Sequence, residues 1–373
     1  MKIGLITIYQ VSNYGSVLQA YATQVILEKL GHDCYMINYE YPNEWHFQRG
    51  IFVRPNPIMR FVRKLGLTVK HRKNNNLQTF RKDHFNFTTS FKDFDALKSY
   101  NWDDYDAFVA GSDQIWNARF LKGDPTFLLA FAPDNKTRIS LAASFALKEL
   151  PVEYLKLYKQ ELSKFKYLSV RENNGIDIIH KQLGIDKDVF TCLDPTLLLS
   201  AKEWQDVVPR SGLKKKRRYI LFYMWAYAFE PRPYIFEVLK YFKEKMADCE
   251  IIALEGYTPP KQALGVRMCD ASDSSIPDFI NLFSNADLVI TSSFHGTAFA
   301  LNFGRPLISI VPDNDGDDRQ SFLLKSLHAD MSIVKINTPL SQINPFGSSN
   351  DVEEILQAKR LSCIETIAAE FTK

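Results

Sequence analysis

The chain contains 373 residues, of which 46% are hydrophobic and 24% are charged, as in an ordinary globular protein. This composition excludes collagen-like, coiled-coil and wholly disordered chains, and the length is sufficient for two domains. The formal net charge of +3 is too small for bulk charge to predict a nucleic-acid partner.

The lengths of the apolar runs and the pattern of cysteines predict the cellular compartment of the protein. No apolar run reaches the roughly 18–20 residues that a membrane-spanning helix needs, and the N-terminal run Met1–Ile8 is interpreted as a buried strand rather than a signal peptide. The five cysteines are odd in number and lack C-x-x-C spacing, so they predict neither a disulfide framework nor a zinc site. We therefore expect a cytoplasmic protein.

The first half of the chain alternates short apolar runs with helical patterns. After the first strand, apolar residues recur at helical spacing from Val17 to Ile26, and Gly31 ends the helix. Further strands are predicted at Cys34–Tyr39, Ala107–Ala110, Arg138–Ala142, Tyr167–Val170 and Val189–Leu193, and helices at Val152–Lys164 and Ile176–Leu183. Repeated β-α units of this kind predict a parallel sheet with both faces covered by helices.

Residues 45–100 interrupt this alternation and are rich in Lys, Arg and aromatic side chains. We interpret the segment as a basic helical excursion of the first domain, packed on the sheet with its cations in solvent. The alternative is an amphipathic helix that contacts an anionic lipid surface or a pyrophosphate-bearing acceptor.

A second α/β series follows a break near Pro209–Gly212 and the basic run Lys214–Arg218, which we interpret as a solvated linker rather than an anion site. Strands are predicted at Tyr219–Met224, Glu250–Leu254, Asp287–Thr291 and Pro306–Val311, and helices at Tyr234–Met246, Pro277–Asn285 and Gly296–Phe303. We therefore place an N-terminal domain at 1–205 and a C-terminal domain at 206–345. The last segment, 346–373, is a helix that is a candidate to cross back onto the first domain.

Small and polar residues cluster at three strand-to-loop junctions, where the carboxyl edge of a parallel sheet binds ligands in open α/β folds. At the first junction Asn13, Tyr14 and Gly15 begin a helix, and their backbone N–H groups suit either an anion or a plain capping loop. At the second, Gly111 and Ser112 suit a turn. The polar residues that follow exceed what a turn requires and suit hydrogen bonds to a polyol: Asp113, Gln114 and Asn117.

The third junction places a histidine at the start of a helix. The strand that ends at Thr291 leads into Ser292, Ser293, His295, Gly296 and Thr297. The position of His295 suits an anion site, and imidazole suits general acid catalysis. The other histidines are interpreted as structural or surface residues.

Two arginines are candidates to bind a carboxylate or phosphate with two hydrogen bonds. Arg171 follows a strand of the first domain, and Arg319 lies in the second. For a lone arginine a surface salt bridge is the commoner role. Asp194-Pro195-Thr196 is interpreted as a turn.

Taken together, these motifs resemble the polysaccharide pyruvyl transferase family. The matching blocks occur in the family's order and span about residues 3–330: Asn13–Ala22, Ala110–Asn117, Ser169–Glu172, Leu193–Thr196 and Ser293–Ala298. Singly none of them is specific, whereas the set is. The best-understood members carry Arg-Leu-His where this chain has Ser293-Phe294-His295.

The resemblance implies two Rossmann-like domains facing across a cleft, as in GT-B glycosyltransferases. It also implies transfer of a pyruvyl group from phosphoenolpyruvate to two sugar hydroxyls, giving a ketal in a capsular, exopolysaccharide or cell-wall glycan. The family's histidine corresponds to His295 and its strand-end arginine to Arg171, and Arg319 is a looser match.

For this reaction, His295 is the expected general acid. Asp113 is a candidate base that orients the acceptor together with Gln114. Phosphate and carboxylate of the donor would be held by Arg171, Arg319, Ser292, Ser293, Gly296 and Thr297, and the acceptor by Asn13, Tyr14, Gly15, Ser112, Gln114 and Asn117. No step requires a metal ion or a bound cofactor, since phosphoenolpyruvate is a substrate.

Two other functions are compatible with the same residues. One is a GT-B glycosyltransferase that uses a nucleotide sugar, and the other is a non-catalytic glycan-binding or scaffold protein. The expected acceptor is a sugar or a lipid-linked oligosaccharide. With a lipid-linked acceptor, the protein would act at the cytoplasmic face of the membrane without spanning it.

Overall fold

The protein is described by a computed structural model that covers residues 1–40, 68–207, 217–226, 228–255, 268–314, 316–345 and 350–372. The chain forms two compact units. Unit 1 comprises Met1–Phe52, Arg81–Leu198 and Lys359–Lys373, and unit 2 comprises Val53–Phe80 and Leu199–Ala358. The chain therefore leaves unit 1 after Leu198, a few residues before the domain boundary placed at 205 from the sequence.

Unit 1 contains a parallel sheet in the strand order β3-β2-β1-β4-β5. A parallel pair, β6-β7, continues it through isolated bridges beside β5. The strands are β1 (Lys2–Ile6), β2 (Asp33–Tyr39), β3 (Phe87–Phe91), β4 (Ala107–Ala110), β5 (Thr137–Ser140), β6 (Leu168–Val170) and β7 (Val189–Thr191).

Seven α-helices lie before residue 199 in the described chain: α1 (Tyr14–Lys29), α2 (Val69–His84), α3 (Phe94–Ser99), α4 (Ala118–Leu121), α5 (Leu155–Leu162), α6 (Asn173–Asp177) and α7 (Pro195–Leu198). The predicted first helix is confirmed, and Asn13 caps it by accepting hydrogen bonds from the backbone N–H groups of Gly15 and Ser16. Most residues of α1 are buried, so this helix lies inside unit 1 rather than on its surface. The predicted helix at Ile176–Leu183 begins earlier, at Asn173, and continues as a π-helical turn.

Unit 2 repeats this architecture, with six parallel strands in the order β10-β9-β8-β11-β12-β13. The strands are β8 (Tyr219–Tyr223), β9 (Glu250–Glu255), β10 (Met268–Asp270), β11 (Leu288–Thr291), β12 (Leu307–Val311) and β13 (Ile333–Lys335). The helices are α8 (Ala201–Val207), α9 (Tyr234–Lys245), α10 (Ile276–Ser284), α11 (Phe294–Asn302), α12 (Arg319–Ser326) and α13 (Asn350–Thr372).

Both sheets have the strand order of a Rossmann-like fold, which confirms the predicted fold class of α/β units with parallel sheets and helices. In each sheet the first two connections run outward to one edge, and the chain then returns to the centre. The reversal falls between β1 and β4 in unit 1 and between β8 and β11 in unit 2. Doubly wound sheets bind ligands at this switch point, beyond the carboxyl ends of the two strands.

The prediction that residues 45–100 form a helical excursion is wrong in part. Residues 41–67 lie outside the described chain, α2 and α3 are helices, and β3 is an edge strand of the unit 1 sheet. Edge strands β10 and β13 were not predicted either. Each of these strands is three to five residues long and partly exposed, which is too short for an apolar period to be recognised.

Helix α2 buries one face and exposes the other. Lys73, Leu77 and Phe80 are buried at helical spacing, whereas most of its other basic residues face solvent. Helix α2 is therefore a packed helix, and its residues up to Phe80 belong to unit 2 rather than to the first domain as predicted. No helix in the described ranges is both long enough and apolar enough to cross a membrane.

Only the end of the basic run Lys214–Arg218 lies within the described chain. Arg217 pairs with Glu250, and Arg218 pairs with Asp248 and Asp287; both arginines are exposed, whereas Glu250 and Asp287 are half-buried. Arg217 and Arg218 directly precede β8, so these ion pairs hold the start of that strand at the surface. Such contacts are typical of a solvated segment.

Candidate functional site

At the switch point of unit 1, a buried glutamine joins the loops that follow β1 and β4. The side-chain amide of Gln19 donates to Thr7 Oγ1 at 2.9 Å, and its oxygen accepts from the backbone N–H of Ser112 at 3.0 Å. Thr7 in turn donates to the carbonyl oxygen of Ser112 at 2.9 Å. The sequence analysis did not identify Gln19, because it lies within α1 and nothing in its neighbourhood indicates a partner in a distant loop.

Asp113 lies beside this junction, with its carboxylate turned toward α1. Its Oδ2 accepts from Ser16 Oγ at 2.7 Å, and its Oδ1 accepts from the backbone N–H of Gln114 at 2.9 Å. The closest guanidinium nitrogen of Arg171 is 3.6 Å from Oδ1. The candidate base is thus placed between the start of α1 and a buried cation.

Arg171 is held by a second carboxylate, that of Asp194. Arg171 Nη1 donates to Asp194 Oδ2 at 2.5 Å, and the two side chains are 2% and 0% exposed. The other oxygen of Asp194 accepts from the backbone N–H and the hydroxyl of Thr196, at 3.0 and 2.7 Å. An anionic ligand at this guanidinium would have to compete with Asp194 and Asp113. The pair is buried, unlike the surface salt bridge expected of a lone arginine.

At the switch point of unit 2, hydroxyl side chains join the loops that follow β8 and β11. Thr291 donates to the carbonyl oxygen of Tyr223 at 2.6 Å. Ser292 Oγ accepts from the backbone N–H of Trp225 at 2.9 Å and donates to its carbonyl oxygen at 2.7 Å. The two loops are therefore fixed to each other where the doubly wound sheet is expected to bind a ligand.

His295 lies in the first turn of α11, at this junction. Ser293 caps the helix by accepting from the backbone N–H of Gly296, and His295 is 7% exposed with its ring edge-on to Phe294. A side chain at Gly296 would overlap Thr291 Oγ1, so glycine lets the helix approach β11 closely. The predicted position of His295 at the start of a helix, next to Ser292 and Ser293, is therefore confirmed. The structure adds that the His295 side chain is buried at the positive end of that helix.

Arg319 contacts the same region but is paired. Its Nε donates to Asp317 Oδ1 at 2.7 Å and its Nη2 donates to the other oxygen of that carboxylate. The guanidinium carbon of Arg319 lies 6.0 Å from the centre of the Phe294 ring, and Phe294 directly precedes His295 in the chain. Arg319 is therefore a neighbour of the histidine junction, with its charge balanced by Asp317.

Thr297 faces the sheet. Its hydroxyl is 2.8 Å from Ser309 Oγ, and Gln320 donates to both hydroxyls, at 3.3 and 2.9 Å. All three side chains are buried, so in unit 2 Thr297 ties α11 to β12.

The comparison with protein families decides the assignment of the whole chain. The family model described as polysaccharide pyruvyl transferase matches residues 13–314, which include all five sequence blocks. The chain belongs to the polysaccharide pyruvyl transferase family. The resemblance inferred from the motifs is thereby confirmed, and the family is one of transferases. Comparison with curated protein sequences found no significant match.

Solved structures resemble this pyruvyl transferase family member over its whole length. A Listeria monocytogenes protein designated a UDP-N-acetylglucosamine 2-epimerase shares 12% identity and a TM-score of 0.54, with 100% of this chain and 96% of that chain covered. MnaA of S. aureus, solved with UDP, shares 11% identity and a TM-score of 0.53, with 97% and 91% covered. At these identities the likeness shows the fold alone.

The predicted acceptor residues of this family member come together in unit 1, where protein groups already engage them. Asn117 donates to Gln114 Oε1 at 3.0 Å and also caps α4, and Ser112 donates to the carbonyl oxygen of Ala142 at 2.6 Å. Asn13 caps α1, next to Tyr14 and Gly15. These bonds explain why so many polar residues occur in two loops, and any role in binding a sugar would be added to them.

Another polar group at the carboxyl edge of unit 1 was missed. Tyr9 donates its phenol hydrogen to Asn38 Oδ1 at 3.0 Å and accepts from Gln10, while Arg81 donates to the Tyr9 carbonyl oxygen at 2.8 Å. Burial raises the pKa of the Tyr9 phenol well above its ordinary value, so it stays a neutral donor. Three elements contribute to this group, and no local motif marks it.

Among the described residues, no three or more His, Cys, Asp or Glu side chains are grouped as in a metal site.

Replacing Gly111 by alanine should destabilise the junction between β4 and its loop. Gly111 has φ +133°, and a Cβ there would overlap the carbonyl oxygen of Leu141. We expect a loss of more than about 3 kcal/mol in the free energy of unfolding, measured by urea denaturation. Gly31→Ala is the matched control, because Gly31 also has positive φ but open space around it, and it should cost about 1–2 kcal/mol. Equal losses in the two variants would contradict the steric explanation.

Proposed function

We propose that this protein transfers the pyruvyl group of phosphoenolpyruvate to two hydroxyls of a sugar, forming a cyclic ketal in polysaccharide biosynthesis. The observation that carries the proposal is His295. The resemblance to the family, read from the motif Ser293–Ala298, implies that His295 is the family's histidine, and His295 is buried in the first turn of α11 at the switch point of unit 2. An acid at the positive end of a helix is suited to an anionic substrate.

The chemistry needs one proton donor and an anion site. A proton delivered to the methylene carbon of phosphoenolpyruvate converts it to a methyl group and leaves positive charge at C2. One sugar hydroxyl adds at C2, phosphate leaves, and the second hydroxyl closes the ketal, with the two hydroxyl protons passing to the base and the phosphate. General acid catalysis of the first step contributes about 10²–10⁴ in rate, and we assign it to His295.

In this proposal the donor binds at the switch point of unit 2. Ser292 and Ser293 form the loop there, and Arg319 lies beside Phe294. The polar junction of unit 1, with Asp113 as the candidate base, is the proposed place of the sugar or lipid-linked acceptor. Arg171 is proposed to fix Asp113 and Asp194 rather than to bind the donor directly, since both carboxylates already face its guanidinium.

A nucleotide-sugar transferase is the second candidate. The observation that favours it is the fold shared with MnaA of S. aureus, which was solved with UDP. A shared fold does not identify a donor, and both reactions need an anion site at the same edge of the sheet.

Ligand-dependent thermal stability separates the two candidates. We expect phosphoenolpyruvate, at about 100 times its dissociation constant, to stabilise the protein by about 2.7 kcal/mol, and UDP-sugars to have no effect. Release of inorganic phosphate should then require a sugar acceptor, which a panel of glycans would identify. Stabilisation by a UDP-sugar alone would overturn the pyruvyl transfer proposal and favour glycosyl transfer.

A further inference from the structure

Arg81, in the last turn of α2, contacts the loop that follows β1. It is half-buried, and its Nη1 donates to the carbonyl oxygen of Tyr9 at 2.8 Å. Burial lowers the pKa of its guanidinium, and no carboxylate of a described residue pairs with it to offset the loss of water. The buried Arg138, by contrast, lies 3.2 Å from the carboxylate of Glu161. Arg81 is therefore a partly desolvated cation whose charge is not balanced within the described chain.

Two other arginines show which edge of the Arg81 guanidinium is unused. Arg319 binds the Asp317 carboxylate through Nε and Nη2, and Arg232 binds the Glu230 carboxylate through the same two nitrogens. In Arg81 these two nitrogens have no acceptor in the part of the chain that the structure describes. An oxyanion with two oxygens fits that edge of a guanidinium.

Tyr9 places this cation at the carboxyl edge of the unit 1 sheet. Tyr9 lies three residues after β1 and is 3% exposed, and its ring packs against Phe85 and Phe87 with ring centres 5.8 and 5.6 Å away. The same loop continues to Asn13, the cap of α1 at the proposed acceptor junction. Since doubly wound sheets bind ligands at this edge, Arg81 contacts a loop that is suited to a ligand.

A second unused donor lies at the other end of Tyr9. Asn38 Oδ1 accepts from the Tyr9 phenol at 3.0 Å and from Gln10 Nε2 at 3.4 Å, so the amide oxygen faces these two donors. The Asn38 NH₂ group has no acceptor among the described residues. Asn38 is the penultimate residue of β2, so its amide belongs to the same sheet edge. Burial raises the pKa of the Tyr9 phenol, and the Gln10 hydrogen bond and the Arg81 charge oppose that rise, which puts the guanidinium within electrostatic reach of the phenol.

We propose that this edge binds an acceptor that carries an oxyanion, with the oxyanion on Nε and Nη2 of Arg81 and the Asn38 amide donating to the same molecule. The inference rests on the proposed function for the role of that molecule as the acceptor, but not for the presence of the anion site. Two sources share this chemistry: the carboxylate of an acidic sugar, and the phosphate group that links a sugar to a lipid carrier. Either would balance the Arg81 charge and use donors that the protein leaves unused.

Binding of glucuronate, glucose 1-phosphate and glucose, measured by titration calorimetry on the full chain, tests the inference, because these probes share one sugar and differ in charge. We expect at least one anionic probe to bind the wild type more tightly than glucose does. Arg81→Met should raise the dissociation constant of that probe about tenfold or more and leave glucose unaffected. Arg81→Lys should recover part of the loss, because it keeps the charge but not the paired N–H groups.

Asn38→Asp is the second variant. An aspartate keeps an oxygen that accepts from Tyr9 and Gln10, but it replaces the NH₂ group by a second oxygen and adds a negative charge. We therefore expect the same anionic probe to bind about tenfold or more weakly, with glucose again unaffected.

Arg305→Met is the matched control. Arg305 is also half-buried, and its Nε donates to the carbonyl oxygen of Phe303 at 2.9 Å, but it precedes β12 and so lies at the amino end of a strand. This variant should bind all three probes as the wild type does. Melting temperature gives a further readout: if Arg81 only fixes the Tyr9 loop, Arg81→Met would melt at a lower temperature with no change in the binding of either anion.

The outcomes separate the inference from the proposed function. An effect of Arg81→Met on glucose 1-phosphate alone assigns a phosphate-bearing acceptor, and an effect on glucuronate alone assigns an acidic sugar. If neither anion binds the wild type, or if Arg81→Met and Arg305→Met bind them equally, the inference is overturned, and stabilisation by phosphoenolpyruvate still decides the proposed function. If an anion binds through Arg81 but phosphoenolpyruvate does not stabilise the protein, the proposed function fails and the anion site stands.

Discussion

Replacing His295 by glutamine should lower the turnover number of pyruvyl transfer by about 10²–10⁴-fold while changing the affinity for phosphoenolpyruvate only a few-fold. Glutamine fills a similar volume and keeps a hydrogen-bonding group, but it does not deliver a proton at neutral pH. The measurement is phosphate release under saturating donor and acceptor, together with donor binding by calorimetry. A loss in turnover number with little change in affinity is the expected result for a group that acts in the transition state.

His180→Gln is the control for this prediction, because His180 is an exposed histidine of unit 1 whose Nε2 lies 2.9 Å from the carbonyl oxygen of Lys187. It should retain full turnover. If His295→Gln kept a turnover number within about threefold of the wild type, the general acid would have to be another group. A protein that binds the donor normally in both variants but never releases phosphate would favour the glycan-binding alternative.

The local parts of both switch points could be predicted from the sequence. A short apolar strand, a polar junction and a helix follow one another at Leu288–Asn302, and the serine cap and the histidine are within that segment. The same holds for Asn13 and α1. Such features depend on neighbours in the chain, so apolar period and capping chemistry are enough to locate them.

Features that depend on distant residues could not be predicted. Arg171 was a candidate to bind an anionic ligand directly. Its partner Asp194 could not be recognised, because Asp194 belongs to a segment that resembles a plain turn. Lys73 and Trp225 come from different elements, and only the fold places an ammonium beside the ring. Asp317 is an intermediate case, since it lies two residues before Arg319 and its proximity could have indicated the pair.

The pairing of Arg171 with Asp194 should dominate the stability of unit 1. Removing one partner of a buried ion pair typically costs about 3–5 kcal/mol, and because Asp113 also lies 3.6 Å from the Arg171 guanidinium, we expect the lower end of that range here. Asp194→Asn should therefore lower the free energy of unfolding by about that amount, measured by urea denaturation. The variant also weakens the acceptor bonds that hold Thr196 at the start of α7.

The exposed pair of Arg218 and Asp248 supplies the control, because its side chains are 59% and 63% exposed. Asp248→Asn should change the free energy of unfolding by less than about 1 kcal/mol. The double variant Arg171→Met with Asp194→Leu removes both charges, so it should recover part of the loss seen with Asp194→Asn alone. If Asp194→Asn were no more destabilising than Asp248→Asn, the guanidinium would not depend on Asp194. Arg171 would then be restored as a candidate to bind the donor anion, because a ligand would have little to displace.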